Sequence, residues 1–198
     1  MIKNLYEVYQ FKITLNDTKP QIWRRIIVPS IYSFWDLHVA IQDSMGWLDY
    51  HLHEFEIINP ETDLKVNIGI PDEEYDDRKI LYDNKEKISR YFNMDNRISI
   101  YEYDFGDSWR HTVKLEKILK AAIGEKYPKC IAGKRACPPE DCGGTDGYRN
   151  LLKILKNPEN EDYEEMIEWT GGDYDPEEFD CRKVIFDDPK ERLKKSKL

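Results

Sequence analysis

The histidines of this sequence are the residues best suited to metal chemistry. His51 and His53 are separated by a single residue in "HLHEF", a stretch whose aromatic and β-branched residues predict a strand. Because alternate residues of a strand point to the same face, the two rings could chelate a transition metal such as zinc. His111, on another predicted strand, could join them. The favoured interpretation, however, is a surface or half-buried imidazole bonded to a carboxylate. His38 is expected at a solvent-side or boundary position of a helix.

The second concentration of chemistry is "CIAGKRACPPEDCGGTDGY", residues 130–148. Cys130, Cys137 and Cys142 are separated by six and four residues, whereas zinc knuckles usually bring pairs of thiolates as C-x2-C. The spacing therefore favours a rigid, shaped loop, in which prolines fix φ and Gly143 and Gly144 allow close backbone approach. A zinc site built from the cysteines is the alternative, and a disulfide is the least favoured interpretation.

The turn "DFGDSW" carries two carboxylates, Asp104 and Asp107. Its first three residues match the metal-binding triplet of protein kinases, but the sequence has neither a glycine-rich phosphate loop upstream nor a catalytic HRD loop. Two interpretations follow. The carboxylates could accept hydrogen bonds from the amides of a tight turn, or they could stand together at one end of the sheet and bind a cation or act as a base.

These segments are expected to meet in one concave site at the end of a sheet, although each could also simply cap its own element. The common pocket would contain His51, Asp104, Asp107, Glu140 and Asp141. The candidate catalytic residues are His51, Asp104, Asp107 and His111. The candidate binding residues are Trp47, Trp109, Glu140, Asp141, Gly143 and Gly144. The candidate metal ligands are His51, His53, Cys130, Cys137 and Cys142.

The elements that must position these residues follow from hydrophobic periodicity. Residues 6–15 and 21–28 predict an antiparallel strand pair, and residues 97–105 and 109–118 predict a second hairpin. Residues 34–45 have apolar side chains at helical spacing, with Ser33 as the N-cap and Gly46 as the stop. Further strands or helices are predicted at 51–58, 63–69, 85–92, 148–155 and 162–171. This pattern predicts a single compact α+β domain over residues 1–189, with a mainly antiparallel sheet and three to four helices.

The aromatic residues and the C-terminus give two more structural expectations. Trp47, Phe55 and Trp109 lie in elements that should pack together, so all three are expected in one core. Residues 190–198, "KERLKKSKL", are polar, basic and terminal, so they are expected to form a poorly packed tail.

The composition restricts the class of protein. A chain of 198 residues suits one domain, no apolar run approaches the roughly 20 residues of a membrane span, and "MIKNLYEVYQF" lacks the basic-then-apolar order of a signal peptide. A cytoplasmic location is therefore predicted, where thiols stay reduced. The net charge of −9, with dispersed basic residues, argues against nucleic-acid binding by the folded part.

Three stretches carry a family resemblance: "MGWLDYHLHEF", "YEYDFGDSWRHTVKLE" and "PKCIAGKRACPPEDCGGTDGY". In this order and spacing the chain resembles the plasmid pRiA4b ORF-3-like family, and "YQFKITLNDTKPQIWRRIIVP" is similar to that family's first hairpin. The resemblance covers residues 6–180. It implies an α+β domain of plasmids, mobile elements and microbial chromosomes, without an established activity. Some members carry a label that associates them with transposon resolution.

The residues themselves argue against a recombinase. Such an enzyme needs arginine or histidine side chains that converge on one scissile phosphate. The neighbouring pairs in this chain are Arg24 with Arg25, and Arg110 with His111. Adjacent residues of a strand face opposite sides of the sheet, so neither pair can point at a single phosphate.

The leading hypothesis is therefore a binding or adaptor module. Its aromatic cleft and "PPEDCGG" loop would recognise a protein, a peptide or a small molecule, because the sequence lacks a complete catalytic constellation. The alternative is a metal-assisted hydrolase that uses histidine and aspartate side chains as ligands or base. The third hypothesis is a mobile-element DNA-transaction protein that contacts nucleic acid through the basic tail.

Overall fold

The structure of the protein is a computed structural model that describes residues 6–71 and 79–195, so that 1–5, 72–78 and 196–198 lie outside the described part. The strands are β1 (Glu7–Leu15), β2 (Ile22–Pro29), β3 (His53–Asn59), β4 (Leu64–Gly69), β5 (Ile80–Tyr82), β6 (Ile98–Tyr103), β7 (Trp109–Lys120) and β8 (Lys129–Lys134). They form one eight-stranded sheet in the order β5-β4-β3-β6-β7-β1-β2-β8. Every neighbouring pair is antiparallel except β4 and β5. The predicted α+β fold with a mainly antiparallel sheet is confirmed.

The helices are α1 (Phe34–Met45), α2 (Ile88–Tyr91), α3 (Gly144–Leu155), α4 (Tyr163–Trp169) and α5 (Pro189–Lys195), with a 3-10 turn at Cys181–Lys183. The ends of α1 are those predicted. The Ser33 hydroxyl accepts from the Asp36 amide, the Asp36 carboxylate accepts from the Ser33 amide, and Gly46 closes the helix at a φ of 98°. None of the helices described is long and apolar enough to span a membrane.

Two of the strands were not recognisable from alternation. The predicted pairs β1–β2 and β6–β7 are confirmed, but residues 129–134, which we expected to be part of a loop, form β8 at the sheet edge and pair with β2. Strand β5 lies parallel to β4. Short edge strands depend on a neighbouring strand for their hydrogen bonds, so their own side-chain pattern is a weak signal.

The core lies on one face of the sheet, where α1 packs. Trp47, Phe55 and Trp109 belong to the same buried cluster, with exposed fractions of 5%, 0% and 0%. The prediction that these three aromatic residues share one core is therefore confirmed. Phe34 of α1 packs edge-on against Phe55 at 5.1 Å between ring centroids, which ties the helix to the centre of the sheet.

The expectation that His38 lies at a solvent-side or boundary position is wrong, because its ring is fully buried. Its Nδ1 lies 2.9 Å from the Tyr101 hydroxyl and its Nε2 lies 2.8 Å from Asp49 Oδ1. The ring stacks on His53 at 3.5 Å, and His53 Nε2 lies 3.0 Å from Asp83 Oδ2. Burial of polar rings is acceptable when their nitrogens have partners, so these two histidines belong to a core network.

The expectation of a poorly packed tail is wrong for residues 190–195. Helix α5 packs against α1, and the indole Nε1 of Trp35 donates to the Pro189 carbonyl at 2.8 Å. Arg192 Nη2 lies 2.6 Å from Asp43 Oδ1 and 2.6 Å from Asp187 Oδ2. The acidic side chain of Asp43 on α1 is almost wholly buried, so it requires this cation. The sequence of the basic terminal segment alone does not indicate that Arg192 pairs with Asp43.

We expect an Arg192→Ala substitution to lower the free energy of unfolding by about 2 kcal/mol, because it leaves the buried Asp43 carboxylate without its ion pair. The matched control is Arg182→Ala, whose exposed guanidinium pairs with Asp180 and should contribute less than about 1 kcal/mol. Urea unfolding of both variants measures the difference. Equal stabilities for the two variants would show that α5 is not held by this pair.

Candidate functional site

Three loops meet at one end of the sheet. His53 lies opposite Tyr103 in the antiparallel pair β3–β6, so the residues just before β3 and just after β6 are neighbours. The Asp104 amide donates to the Leu52 carbonyl at 2.9 Å. The β8–α3 loop contacts the segment that precedes β3, because the indole Nε1 of Trp47 donates to the Pro138 carbonyl of that loop at 3.0 Å.

The centre of this meeting point is formed by His51, Asp104 and Asp141. His51 Nε2 lies 3.2 Å from Asp141 Oδ1 and 3.7 Å from Asp104 Oδ2, and one ligand atom from each residue lies within 4.8 Å of the others. The Nε2 atom is buried but forms no hydrogen bond, so the close approach to the carboxylates is not a well-directed donor–acceptor contact. The potential ligand atoms of His51, Asp104 and Asp141 therefore lie close together, but neither carboxylate forms a hydrogen bond with His51 Nε2.

The turn chemistry of "DFGDSW" orients one of these ligands. Asp104 Oδ1 accepts from the amides of Gly106 and Asp107, at 2.9 and 3.3 Å. Its other oxygen, Oδ2, is the one that faces His51. The interpretation of Asp104 as a turn residue is therefore supported through Oδ1, whereas cation binding or base chemistry through Oδ2 stays a prediction.

Asp107 joins two of the three loops. Its Oδ2 accepts from the amide of Gly143 at 3.2 Å, at the start of α3. A Cβ atom at Gly144 would lie 2.6 Å from the Asp107 carbonyl oxygen, and Gly144 has a φ of +65°. The position therefore requires glycine, both for its left-handed backbone and for the close approach of the turn. Asp107 acts on the site by positioning the loop that carries Asp141.

Glu140 is fixed by a residue that sequence analysis did not select. The Tyr103 hydroxyl donates to Glu140 Oε1 at 2.5 Å, and the Leu48 amide donates to Oε2 at 2.9 Å. Burial, together with the hydrogen bond to Glu140, raises the pKa of Tyr103 well above its ordinary value, so the phenol stays protonated and donates. The position of Tyr103 directly before "DFGDSW" was the available signal.

Exposed apolar side chains within a few residues of the site's loops form what we call the apolar rim. Leu48, Tyr50, Leu52 and Phe105 are exposed by 47–73%, and all four are within a few residues of the site's loops. A cavity of about 580 Å³ adjoins this rim and is bounded by Trp47, Leu48, Tyr50, Arg192 and neighbouring acidic residues. Exposed apolar groups around a few polar groups are typical of ligand-binding surfaces.

Two of the predicted histidine positions lie elsewhere. His53 is buried against His38 and bonded to Asp83, as the favoured interpretation of an imidazole bonded to a carboxylate has it, so it does not form a chelating pair with His51. Strand β3 begins at His53, and the alternation of strand side chains does not extend back to His51. His111 is also fully buried, with its Nδ1 3.0 Å from the Trp109 carbonyl oxygen, so it does not join His51.

The cysteines do not supply the ligands of this site. All four are free, and the three-ligand group found among the described residues contains none of them. Cys130 lies on β8, where its thiol is 3.6 Å from the Ala132 carbonyl oxygen. Burial raises the pKa of Cys142 to about 12 and that of Cys137 further. The interpretation of this segment as a rigid, shaped loop stays a prediction.

The remaining candidate residues lie beneath or away from the site. Trp47 is buried below the rim, and Trp109 has no exposed surface with which to touch a ligand, so the expectation that Trp109 contacts a ligand is wrong. The arginines near "IWRR" diverge as expected: Arg24 is buried and donates to the Ser44 carbonyl, while Arg25 faces outward and pairs with Glu116.

The sequence comparisons agree with this fold. A profile of the family described as "Plasmid pRiA4b ORF-3-like protein" matches residues 7–183, which include every strand and the three loops of the site. This chain belongs to the plasmid pRiA4b ORF-3-like family. The resemblance in the motif-rich stretches is thereby confirmed.

The pRiA4b ORF-3-like chain is similar to one protein known from its sequence and to one protein of solved structure. "Uncharacterized protein y4hQ" of Sinorhizobium fredii is 36% identical over 169 residues, 85% of this chain and 84% of its own length. The crystal structure of the protein of unknown function MM3350 from Methanosarcina mazei Go1 is 48% identical, with a TM-score of 0.87 over 92% of this chain and 100% of that one. Neither name assigns a ligand.

Proposed function

We propose that this pRiA4b ORF-3-like chain is a metal-dependent binding protein, in which His51, Asp104 and Asp141 hold a divalent ion, with zinc as the first candidate. The observation that carries the proposal is the buried Nε2 of His51, which has no hydrogen bond although two carboxylate oxygens lie 3.2 and 3.7 Å away. A buried polar atom without a partner is costly, and a cation between the three ligands would remove that cost.

The distances suit a small ion. Zinc bonds of about 2.0–2.2 Å in tetrahedral geometry put neighbouring ligand atoms roughly 3.3 Å apart. The two distances from His51 Nε2, 3.2 and 3.7 Å, are close to that value, and all three ligand atoms lie within 4.8 Å of one another. One imidazole and two carboxylates also balance the ion's charge, and three protein ligands leave a coordination position open for a ligand.

The apolar rim supports a binding role for that open position. Leu48, Tyr50, Leu52 and Phe105 expose apolar surface beside the polar centre. A peptide segment or a small molecule would place an oxygen or nitrogen donor on the ion and its apolar part on the rim. Polar groups that fix orientation within an apolar surface are the usual plan of such sites.

The test is zinc binding by protein purified without an affinity tag. We expect the native chain to bind about one equivalent, and Asp141→Asn to weaken the affinity by about a hundredfold or more, because a neutral amide is a poor zinc ligand. Asp141 is largely exposed, so its substitution leaves folding intact. Competition with a chromogenic chelator gives both affinities.

The matched control is Asp146→Asn, a neighbouring exposed aspartate that pairs with Arg149 and lies outside the three-ligand group. It should retain native zinc affinity. If Asp141→Asn and Asp146→Asn bind zinc as tightly as the native chain, the ion is not held by this group and the proposal fails.

A second candidate function is a metal-assisted hydrolase. The favouring observation is that the group contains three protein ligands, the number found in catalytic zinc sites that keep a position for water. Bound there, the ion would lower the pKa of water and supply a nucleophile at neutral pH. Zinc-dependent hydrolysis of nitrophenyl esters or phosphates that is lost in Asp141→Asn, and kept in Asp146→Asn, would favour this function over ligand binding alone.

A further inference from the structure

The outward face of β2, β1 and β7 carries a row of positive charges. Arg25 lies opposite Lys12, and Lys12 lies opposite Lys114, in the registers of the two neighbouring strand pairs. Side chains directly opposite each other have Cβ atoms about 5 Å apart, and like charges in such pairs are destabilising. Glu116 neutralises Arg25 and attracts Lys12, so the excess positive charge of the row lies on the two lysines.

The protein's own carboxylates leave most of this row unpaired. Glu116 is the only acidic side chain at the outward positions of these three fully described strands, and it binds Arg25 through both oxygens, at 2.6 and 2.9 Å. Gln10 donates to the same carboxylate at 2.7 Å. Lys12 lies over the Trp23 ring at 5.2 Å, and neither Lys12 nor Lys114 has an ion pair within the part of the chain that the structure describes.

The charge continues along β7. Lys117 lies opposite Gln10, across a register shift that adds one residue to β7, and it too has no ion pair with a described residue. The chain as a whole has a net charge of −9, so this face is opposite in sign to the rest of the molecule. At physiological salt, charges are screened beyond about 8 Å, so the local cations dominate the interaction at this face.

The geometry on this face already accepts a carboxylate, as the two-oxygen contact between Arg25 and Glu116 demonstrates. We infer that the row formed by Lys12, Lys114 and Lys117 binds an acidic segment of a partner protein, whose carboxylates pair with these ammonium groups. The inference is independent of the metal site. Thr14 and Thr112 lie opposite each other in the next row. The Thr112 hydroxyl donates to Asn16 Oδ1 at 3.0 Å, so it can only accept from the segment's backbone, whereas the Thr14 hydroxyl can donate or accept.

The size of the patch favours a short acidic segment over a nucleic acid. A long polyanion would extend beyond three strands onto a chain of net charge −9, where it would be repelled. A segment of a few glutamate or aspartate residues would end within the patch. Its binding should be salt-dependent, because the ion pairs are exposed.

The test uses a fluorescein-labelled, glutamate-rich peptide and fluorescence anisotropy with the full chain. We expect Lys12→Glu/Lys114→Glu to weaken binding by about tenfold or more, through loss and reversal of two charge contacts. Lys12→Arg/Lys114→Arg should keep binding within about threefold, because the charges remain. The matched control, Lys126→Glu/Lys153→Glu, makes the same charge change at exposed lysines outside β1, β2 and β7 and should weaken binding by less than about threefold.

Three outcomes would overturn the inference. The first is undetectable peptide binding by the native chain at low salt, and the second is an equal loss in the Lys126/Lys153 control. The third is tighter binding of a single-stranded oligonucleotide than of the peptide, with that binding lost in Lys12→Glu/Lys114→Glu, which would assign the face to nucleic acid. Thermal melting of each variant verifies that the fold is retained.

Discussion

Replacement of Trp109 by alanine is expected to lower the free energy of unfolding by about 3–5 kcal/mol, the range found when a core aromatic site is emptied. Trp109 has no exposed surface, and its ring lies 5.8 Å from that of Trp47. The substitution would leave a cavity beneath the loops that carry His51 and Asp104. Denaturant unfolding at neutral pH measures the loss.

Two variants make that prediction specific. Trp109→Phe should cost clearly less than the alanine variant, because it keeps an aromatic ring and because the Trp109 indole nitrogen has no hydrogen bond to lose. Trp169→Ala, at a half-exposed position on α4, should cost less than about 1 kcal/mol. If Trp109→Ala is no more harmful than Trp169→Ala, the residue does not support the core as described.

Acidification from pH 7 to pH 4 is expected to remove on the order of 6 kcal/mol of stability through two buried histidines, about 3 kcal/mol from each. Burial lowers the pKa of His38 to about 4, helped by the adjacent His53 ring and opposed by Asp49. Burial also lowers the pKa of His111 to about 4, against the hydrogen bonds it makes to backbone. In the unfolded chain, histidine has a pKa near 6.5.

The sign of this effect follows from proton uptake. Below about pH 6.5 the unfolded chain binds protons at His38 and His111 that the folded chain does not, so stability falls as pH falls. The loss begins near pH 6.5, grows as the pH falls, and is complete near the folded value of about 4, below which the folded histidines bind protons as well.

A His111→Gln variant isolates one of the two contributions. Glutamine does not titrate, so the variant's stability should fall by about 3 kcal/mol less than that of the native chain between pH 7 and pH 4. The carboxylates titrate in both proteins, and their effect cancels in the difference. Parallel stability–pH profiles for the two proteins would contradict the assignment to His111.

Local sequence signals were sufficient for much of the fold. The alternation in residues 6–15 and 97–105 predicted strands, and both hairpins form. Ser33 and Gly46 marked the ends of α1 because capping depends on the residues within one helical turn. The burial of Trp109 followed from its large apolar ring.

The candidate site was predictable only in outline. Asp104 and Asp107 stood out as turn residues, and the glycines before α3 indicated close packing, which the contact between Gly144 and Asp107 explains. The choice of ligands was not predictable. His53 has the same side chain as His51 and lies only two positions away, but it packs into the core with His38.

The sequence alone was enough to predict most of the strands, both ends of α1, the burial of Trp47, Phe55 and Trp109, and the loops rich in polar groups. These features depend on neighbours along the chain. Three long-range contacts became visible only in the folded chain: His51, Asp104 and Asp141 converge, Arg192 pairs with Asp43, and Lys12 lies between Arg25 and Lys114. Each of these depends on strand order, register or docking between residues far apart in sequence, and side-chain periodicity carries no information on which distant segments become neighbours.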